Sequence, residues 1–111
     1  MQDNERSRAV FNKLIRDRIP EIIEKSGKIA VYETLQDCEY LEFLNQKLLE
    51  EVNEYLESGT VEELADIGEV VYAILAYKHI PQEEFQRVRL EKLATHGGFE
   101  KRLLLKEVIN R

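Results

Sequence analysis

Ser58-Gly59-Thr60 constrains this chain more than any other three residues. Upstream, from about Asp37 to Ser58, Leu41, Leu44, Leu48, Val52 and Tyr55 recur at helical spacing and form one apolar stripe. Gly59 follows as the residue best suited to the left-handed conformation that ends a helix. Thr60-Val61-Glu62-Glu63 then has the form of a capping box, with Thr60 at the N-cap and Glu63 at N3. A stop and a start this close together leave room only for a tight turn. The expected result is an antiparallel helical hairpin.

The hairpin brings acids together. Glu51 and Glu54 are three residues apart before the turn, and Glu63 and Asp66 three apart after it. Positions three apart on a helix share a face. Folding at the turn therefore sets Glu54 near Glu63 and Glu51 near Asp66. At ~100° per residue, Glu51 lies roughly 60° from the centre of the apolar stripe, so Lys47, Glu51 and Glu54 line one shoulder of the buried face. The same phase turns Glu50 and Glu57 toward solvent. The second helix, through Ala65, Ile67, Val70, Val71, Tyr72, Ala73, Ile74, Leu75 and Tyr77, is apolar almost all round and reads as buried. Its Asp66 shares a side with Glu63, Val70, Ile74 and Tyr77, while Glu62 and Glu69 share the polar edge. An aspartate in such a sector needs a cation or several hydrogen bonds. Glu63 has a second use as the capping residue, and the acids of either helix also have salt bridges open to them.

Converging carboxylates repel unless a cation lies among them. All-oxygen ligation suits Mg²⁺, with Mn²⁺ also possible. Such ions commonly take phosphate oxygens as further ligands, and the matching chemistry is hydrolysis at phosphorus, with a spare carboxylate as general base. Other chemistries fit less well. Neither His79 nor His96 follows a glutamate by three residues, as a di-iron bundle would need. Cys38 is the only cysteine, which leaves no thiolate zinc cluster and no internal disulfide. There is no Gly-x-x-x-x-Gly-Lys-Ser/Thr loop and no Ser-His-Asp or Cys-His arrangement. Both histidines read as residues at helix C-terminal ends.

The rest of the chain supplies cations. Residues 1–10 read as a flexible lead-in and 11–111 as a single domain. Lys13, Arg16 and Arg18 precede a short helix that Pro20 opens and Gly27 stops. This basic arm is either solvated surface or a set of phosphate contacts. Residues 28–34 read as a brief strand or extended segment. Pro81 starts a further helix, with Phe85, Val88, Leu90, Leu93 and Ala94 on its apolar side and Gly97-Gly98 at its end. The remaining tail fits helix or extended chain equally. The formal net charge of −6 argues against a general nucleic-acid binder. No apolar run approaches the ~20 residues of a membrane span, the polar first residues lack the apolar core of a signal peptide, and a cytoplasmic setting is the simplest expectation.

Glu50-Glu51-Val52-Asn53-Glu54 followed by Glu63-Leu64-Ala65-Asp66 resembles the E-E-x-x-E and E-x-x-D hallmark of the all-α NTP pyrophosphatase superfamily, the MazG-like and phosphoribosyl-ATP pyrophosphohydrolase-like proteins. Two further blocks, Asn12-Lys13-Leu14-Ile15-Arg16-Asp17-Arg18-Ile19-Pro20-Glu21-Ile22-Ile23 and Gly97-Gly98-Phe99-Glu100-Lys101-Arg102, resemble those of one branch, the predicted house-cleaning nucleotide pyrophosphatases. The resemblance implies an all-α bundle of about four helices, completed by oligomerisation as a homodimer or homotetramer. It implies Mg²⁺ held by Glu51, Glu54, Glu63 and Asp66, with Glu51 and Glu54 also in the catalytic step. It further implies a nucleoside triphosphate substrate cleaved at the α-phosphorus into monophosphate and pyrophosphate, with Lys13, Arg16, Lys47, Lys101 and Arg102 as its contacts. Eight residues separate Glu54 from Glu63, fewer than in many MazG-like members, which tightens the turn. Two alternatives stay open: hydrolysis of phosphoribosyl-ATP, and a non-catalytic helical module that binds nucleotide or protein.

Overall fold

The computed structural model describes residues 8–111, so seven residues of the expected lead-in lie outside it. Four helices form: α1 (Ile19–Lys25), α2 (Asp37–Ser58), α3 (Val61–Tyr77) and α4 (Gln82–His96). No strand occurs among the described residues, so the chain is all-α. Residues 28–36 are neither helix nor strand. Of the two forms expected there, a brief strand or an extended segment, the strand does not form, because a β-branched run with no partner has nowhere to place ladder hydrogen bonds. Beyond a turn at 99–101 the tail is likewise irregular.

The helix ends follow the punctuation in the sequence. Gly59 closes α2 in the left-handed conformation at φ 66°, its N–H donating to the Tyr55 carbonyl at 2.7 Å. Thr60 accepts the Glu63 N–H through its hydroxyl at 3.4 Å and so caps α3. Pro20 lies in the first turn of α1, and Gly27 follows it at φ 89°.

The hairpin of α2 and α3 is the body of the fold, with α4 against α3. Its core is small: Leu44, Val70 and Leu75 are buried among the described residues, and Leu44 is 2% exposed. At the open end, Tyr40 meets Tyr77 edge-on with ring centroids 5.7 Å apart, and the Tyr77 hydroxyl donates to the Asp37 carbonyl at 3.1 Å. This tie clamps the start of α2 to the end of α3.

Two expectations need correction. The apolar circumference of α3 does not make it a buried helix within this chain, because α2 and α4 cover only part of it. Leu64 is 48% and Tyr72 40% exposed. Nor do the four helices close into a bundle, since α1 packs on no other helix and the apolar residues Val88, Leu90 and Leu93 of α4 are about half exposed. The radius of gyration of 20.3 Å exceeds the ~13 Å of a compact domain of this length, which expresses the same openness.

With so few buried side chains, each matters. Leu44→Ala is expected to lower the unfolding free energy by about 2–4 kcal/mol in urea denaturation, through lost burial and the cavity left behind. Leu49→Ala on the same helix, where the side chain is 62% exposed, is expected to change it by less than about 0.5 kcal/mol.

Candidate functional site

Of the four acids expected to converge, Glu51, Glu63 and Asp66 come together across the α2/α3 hairpin, while Glu54 groups with Glu50 and Glu51 on α2 and not with Glu63 and Asp66. Carboxylate oxygens of Glu51, Glu63 and Asp66 all lie within 4.8 Å of one another, and so do those of Glu50, Glu51 and Glu54. Glu51 belongs to both groups and is the point at which the two helices share charge. It is also the most enclosed acid, 5% exposed. Its Oε2 and that of Glu63 are shielded from solvent and make no hydrogen bond.

An enclosed carboxylate oxygen without a donor is costly, and two of them side by side more so. Burial pushes the Glu51 carboxyl above the ordinary glutamate range, and Glu54 and Asp66 add to this against the opposing Lys47. Glu63 is raised in the same direction, first by desolvation and then by Glu54, Glu51 and Asp66. These are the marks of a place built for positive charge. A small divalent cation fits the donor set, which is all oxygen, supplied by two helices, and includes two oxygens with no other partner.

The capping box of α3 is only half formed, and this frees Glu63. The Thr60 N–H, which the Glu63 carboxylate would take in a complete box, donates instead to the Ser58 hydroxyl at 3.3 Å. Glu63 thus starts the helix with its backbone and faces the other acids with its side chain.

Cations line the rim. Lys47 Nζ is 3.3 Å from both Glu50 Oε2 and Glu51 Oε1, and its side chain is 14% exposed. Lys13 Nζ pairs with Glu50 Oε1 at 2.8 Å, and Arg16 with Asp66 Oδ1 at 2.7 Å. Of the five cations expected at a phosphate, these three are brought to the acids. Lys101 and Arg102 are exposed beyond α4, and no ion pair joins them to the cluster among the described residues. An open groove of about 410 Å³ lies beside Glu50 and Glu54, lined also by Gln46, Leu49, Asn53 and Glu57. The larger groove, on α4, touches none of the acids.

Glu50 is the residue that the sequence reading misplaced. Helical phase turns it away from the apolar stripe, but solvent is not what it meets there. The segment before α1 covers that flank, and Glu50 bridges Lys13 and Lys47 with its side chain 25% exposed. Burial pushes its carboxyl up, yet the bonds from the two lysines outweigh this and hold it below the ordinary range; Glu50 in turn raises Lys13. Glu69, expected to share the same outward role, is 61% exposed and reached only by Arg16 at 4.0 Å.

The comparisons with known proteins are sparse. No family model matches, and no solved structure matches. An uncharacterized protein of Mycolicibacterium smegmatis is 50% identical over 48 residues, which is 43% of this chain and 49% of that relative. The chain therefore spans about half the length of the curated relative it matches.

The raised carboxyls set a pH dependence. A group whose affinity for protons is higher in the folded state stabilises the fold while protonated and loses that contribution as pH rises through its folded value. Glu51 and Glu63 act in this sense, in the window from the ordinary glutamate value up to their raised ones; Glu50 acts oppositely, and only at more acid pH. In chelator, the melting temperature is expected to rise as pH falls from neutral toward the ordinary glutamate range. Glu51→Gln is expected to raise it at neutral pH and flatten its slope, as differential scanning fluorimetry would show.

Proposed function

We propose that this chain is a Mg²⁺-dependent nucleoside triphosphate pyrophosphohydrolase that acts on non-canonical or surplus nucleotides. The observation that supports this most is Glu51: a carboxylate 5% exposed, with an unpartnered oxygen, amid acids from two helices and beside a rim of cations. The resemblance of the three sequence blocks to the house-cleaning branch of the all-α NTP pyrophosphatases gives the same direction.

In this reading Glu51, Glu63 and Asp66, with Glu54 beside them, hold the metal. When bound, Mg²⁺ or Mn²⁺ offsets phosphate charge and polarises the phosphoryl group under attack. Lys47, Lys13 and Arg16 hold the phosphate chain at the rim, with the guanidinium of Arg16 suited to two oxygens at once. Glu51 and Glu54 take part in the catalytic step, where a carboxylate accepts a proton from the attacking water, and the raised basicity of Glu51 suits it to do so. The water oxygen bonds to the α-phosphorus as the bond to the α–β bridging oxygen breaks, and pyrophosphate leaves. Exposed apolar residues of α3 and α4, and of the tail at Phe99, Leu103, Leu104 and Leu105, support assembly into a homodimer or homotetramer.

One observation favours a second reading. Lys13, Arg16 and Lys47 already pair with Glu50, Asp66 and Glu51, so much of the acid charge is balanced without metal. A non-catalytic helical module needs no more than that.

A panel of nucleoside triphosphates and phosphoribosyl-ATP with Mg²⁺, scored for pyrophosphate against orthophosphate, separates these readings. Pyrophosphate release is expected from at least one triphosphate. Glu54→Gln and Asp66→Asn are each expected to reduce it more than about 100-fold. Release undiminished in both would sink the assignment, and turnover of phosphoribosyl-ATP alone would redirect it. Because Glu50 anchors two rim lysines, Glu50→Gln is expected to raise KM more than Glu69→Gln does.

A further inference from the structure

Residues 11–18 are joined to both arms of the hairpin by their charges. Lys13 reaches α2 at Glu50, and Arg16 reaches α3 at Asp66, with Glu69 at 4.0 Å. Leu14 and Ile15 between them are half buried, and Ile19 N–H donates to the Arg16 carbonyl at 3.0 Å. The backbone of this segment is therefore seated by its apolar middle and its link to α1, whatever its cations do. The two cations differ in what they touch. Glu50 lies outside the Glu51/Glu63/Asp66 group, whereas Asp66 is a member of it. Arg16 thus places a full positive charge 2.7 Å from an oxygen of that three-acid group, and its own side chain is 57% exposed and free to turn outward.

We propose that Arg16 is the resident counter-cation of the acidic site and is exchanged for the divalent metal. In the metal-free chain its guanidinium partly neutralises Asp66 and so relieves the repulsion that Glu51 and Glu63 feel. A divalent cation among the same carboxylates supplies more charge at shorter range and repels the guanidinium. Arg16 then loses its reason to stay on Asp66, and its planar donor fork turns to solvent, where phosphate oxygens are its natural partners. One residue serves as counter-ion when the site lacks metal and as an anion contact when the site has it. The inference rests on the metal-binding part of the proposed function and deepens it by giving an order: metal first, phosphates second.

The test is calorimetric titration of the full chain with MgCl₂, beside urea denaturation in chelator. Arg16→Gln is expected to bind Mg²⁺ about threefold to tenfold more tightly than the unaltered chain while being less stable in chelator. Arg16→Lys keeps the charge and is expected to restore weaker binding. Lys13→Gln is expected to shift affinity less, because its partner lies outside the three-acid group. Arg89→Gln, which removes a cation on α4 paired with Gln86, controls for net charge and is expected to change nothing. Unchanged or weaker Mg²⁺ binding by Arg16→Gln would overturn the exchange while leaving the metal site standing, since a residue that merely orients Asp66 would weaken binding when lost. Mg²⁺ binding by none of the variants would overturn both.

Discussion

The structure depends on like charges held close together by a hairpin whose own core is slight. Glu51 is buried where α2 meets α3, and bringing its carboxylate together with Glu63 and Asp66 opposes the packing that creates the site. Such a cluster persists only if something offsets the repulsion. Two devices do so, protonation that burial makes easier and the lysines and arginine at the rim; a bound cation would be a third. The apolar contacts of Leu44, Val70 and Leu75 and the clamp between Tyr77 and α2 must carry whatever repulsion remains. The charge that the cluster gathers and the packing that holds it therefore pull against each other at the same residues.

The hairpin was legible in the sequence because its signals are local. Gly59 and Thr60 act on their own backbones, and the three-residue spacing of the acids needs only helical geometry to converge. Glu50 was not legible in this way. Its helical phase turns it off the apolar stripe, but the partner that meets it, Lys13, comes from 37 residues away along the chain, and no periodicity reports such a contact. The same holds for Arg16 and Asp66, 50 residues apart. The basic arm was open between solvated surface and phosphate contact, and in the structure it takes a third part as partner of the acids. Glu63 has two roles open to it in the sequence, cap and site residue. The backbone does the one and the side chain the other, a division that residue identities alone do not reveal.

Burial follows the same division between local and distant signals. An apolar circumference on α3 says that the helix has surface to cover, not that the same chain covers it. Within this chain α3 has α2 on one side and α4 on part of another, and the rest of its apolar residues face outward. The same is true of α4 and of the leucines beyond it. Periodicity measures the demand for burial, while the supply depends on how many elements the chain provides and on where its irregular segments run.

The turn has a further consequence. Measured from Gly59, the acids stand almost as mirror images: Glu54 is five residues before it and Glu63 four after, while Glu51 is eight before and Asp66 seven after. Symmetry of this kind is a matter of counting, and counting is upset by length more than by identity. Removing one residue between the two pairs would displace one helix face by about 1.5 Å and 100° against the other while every carboxylate remained in the sequence. The site is thus written in the distance between its residues as much as in the residues themselves. A change of length between Glu54 and Glu63 is therefore accommodated only where the turn itself absorbs it and the two helix faces keep their register.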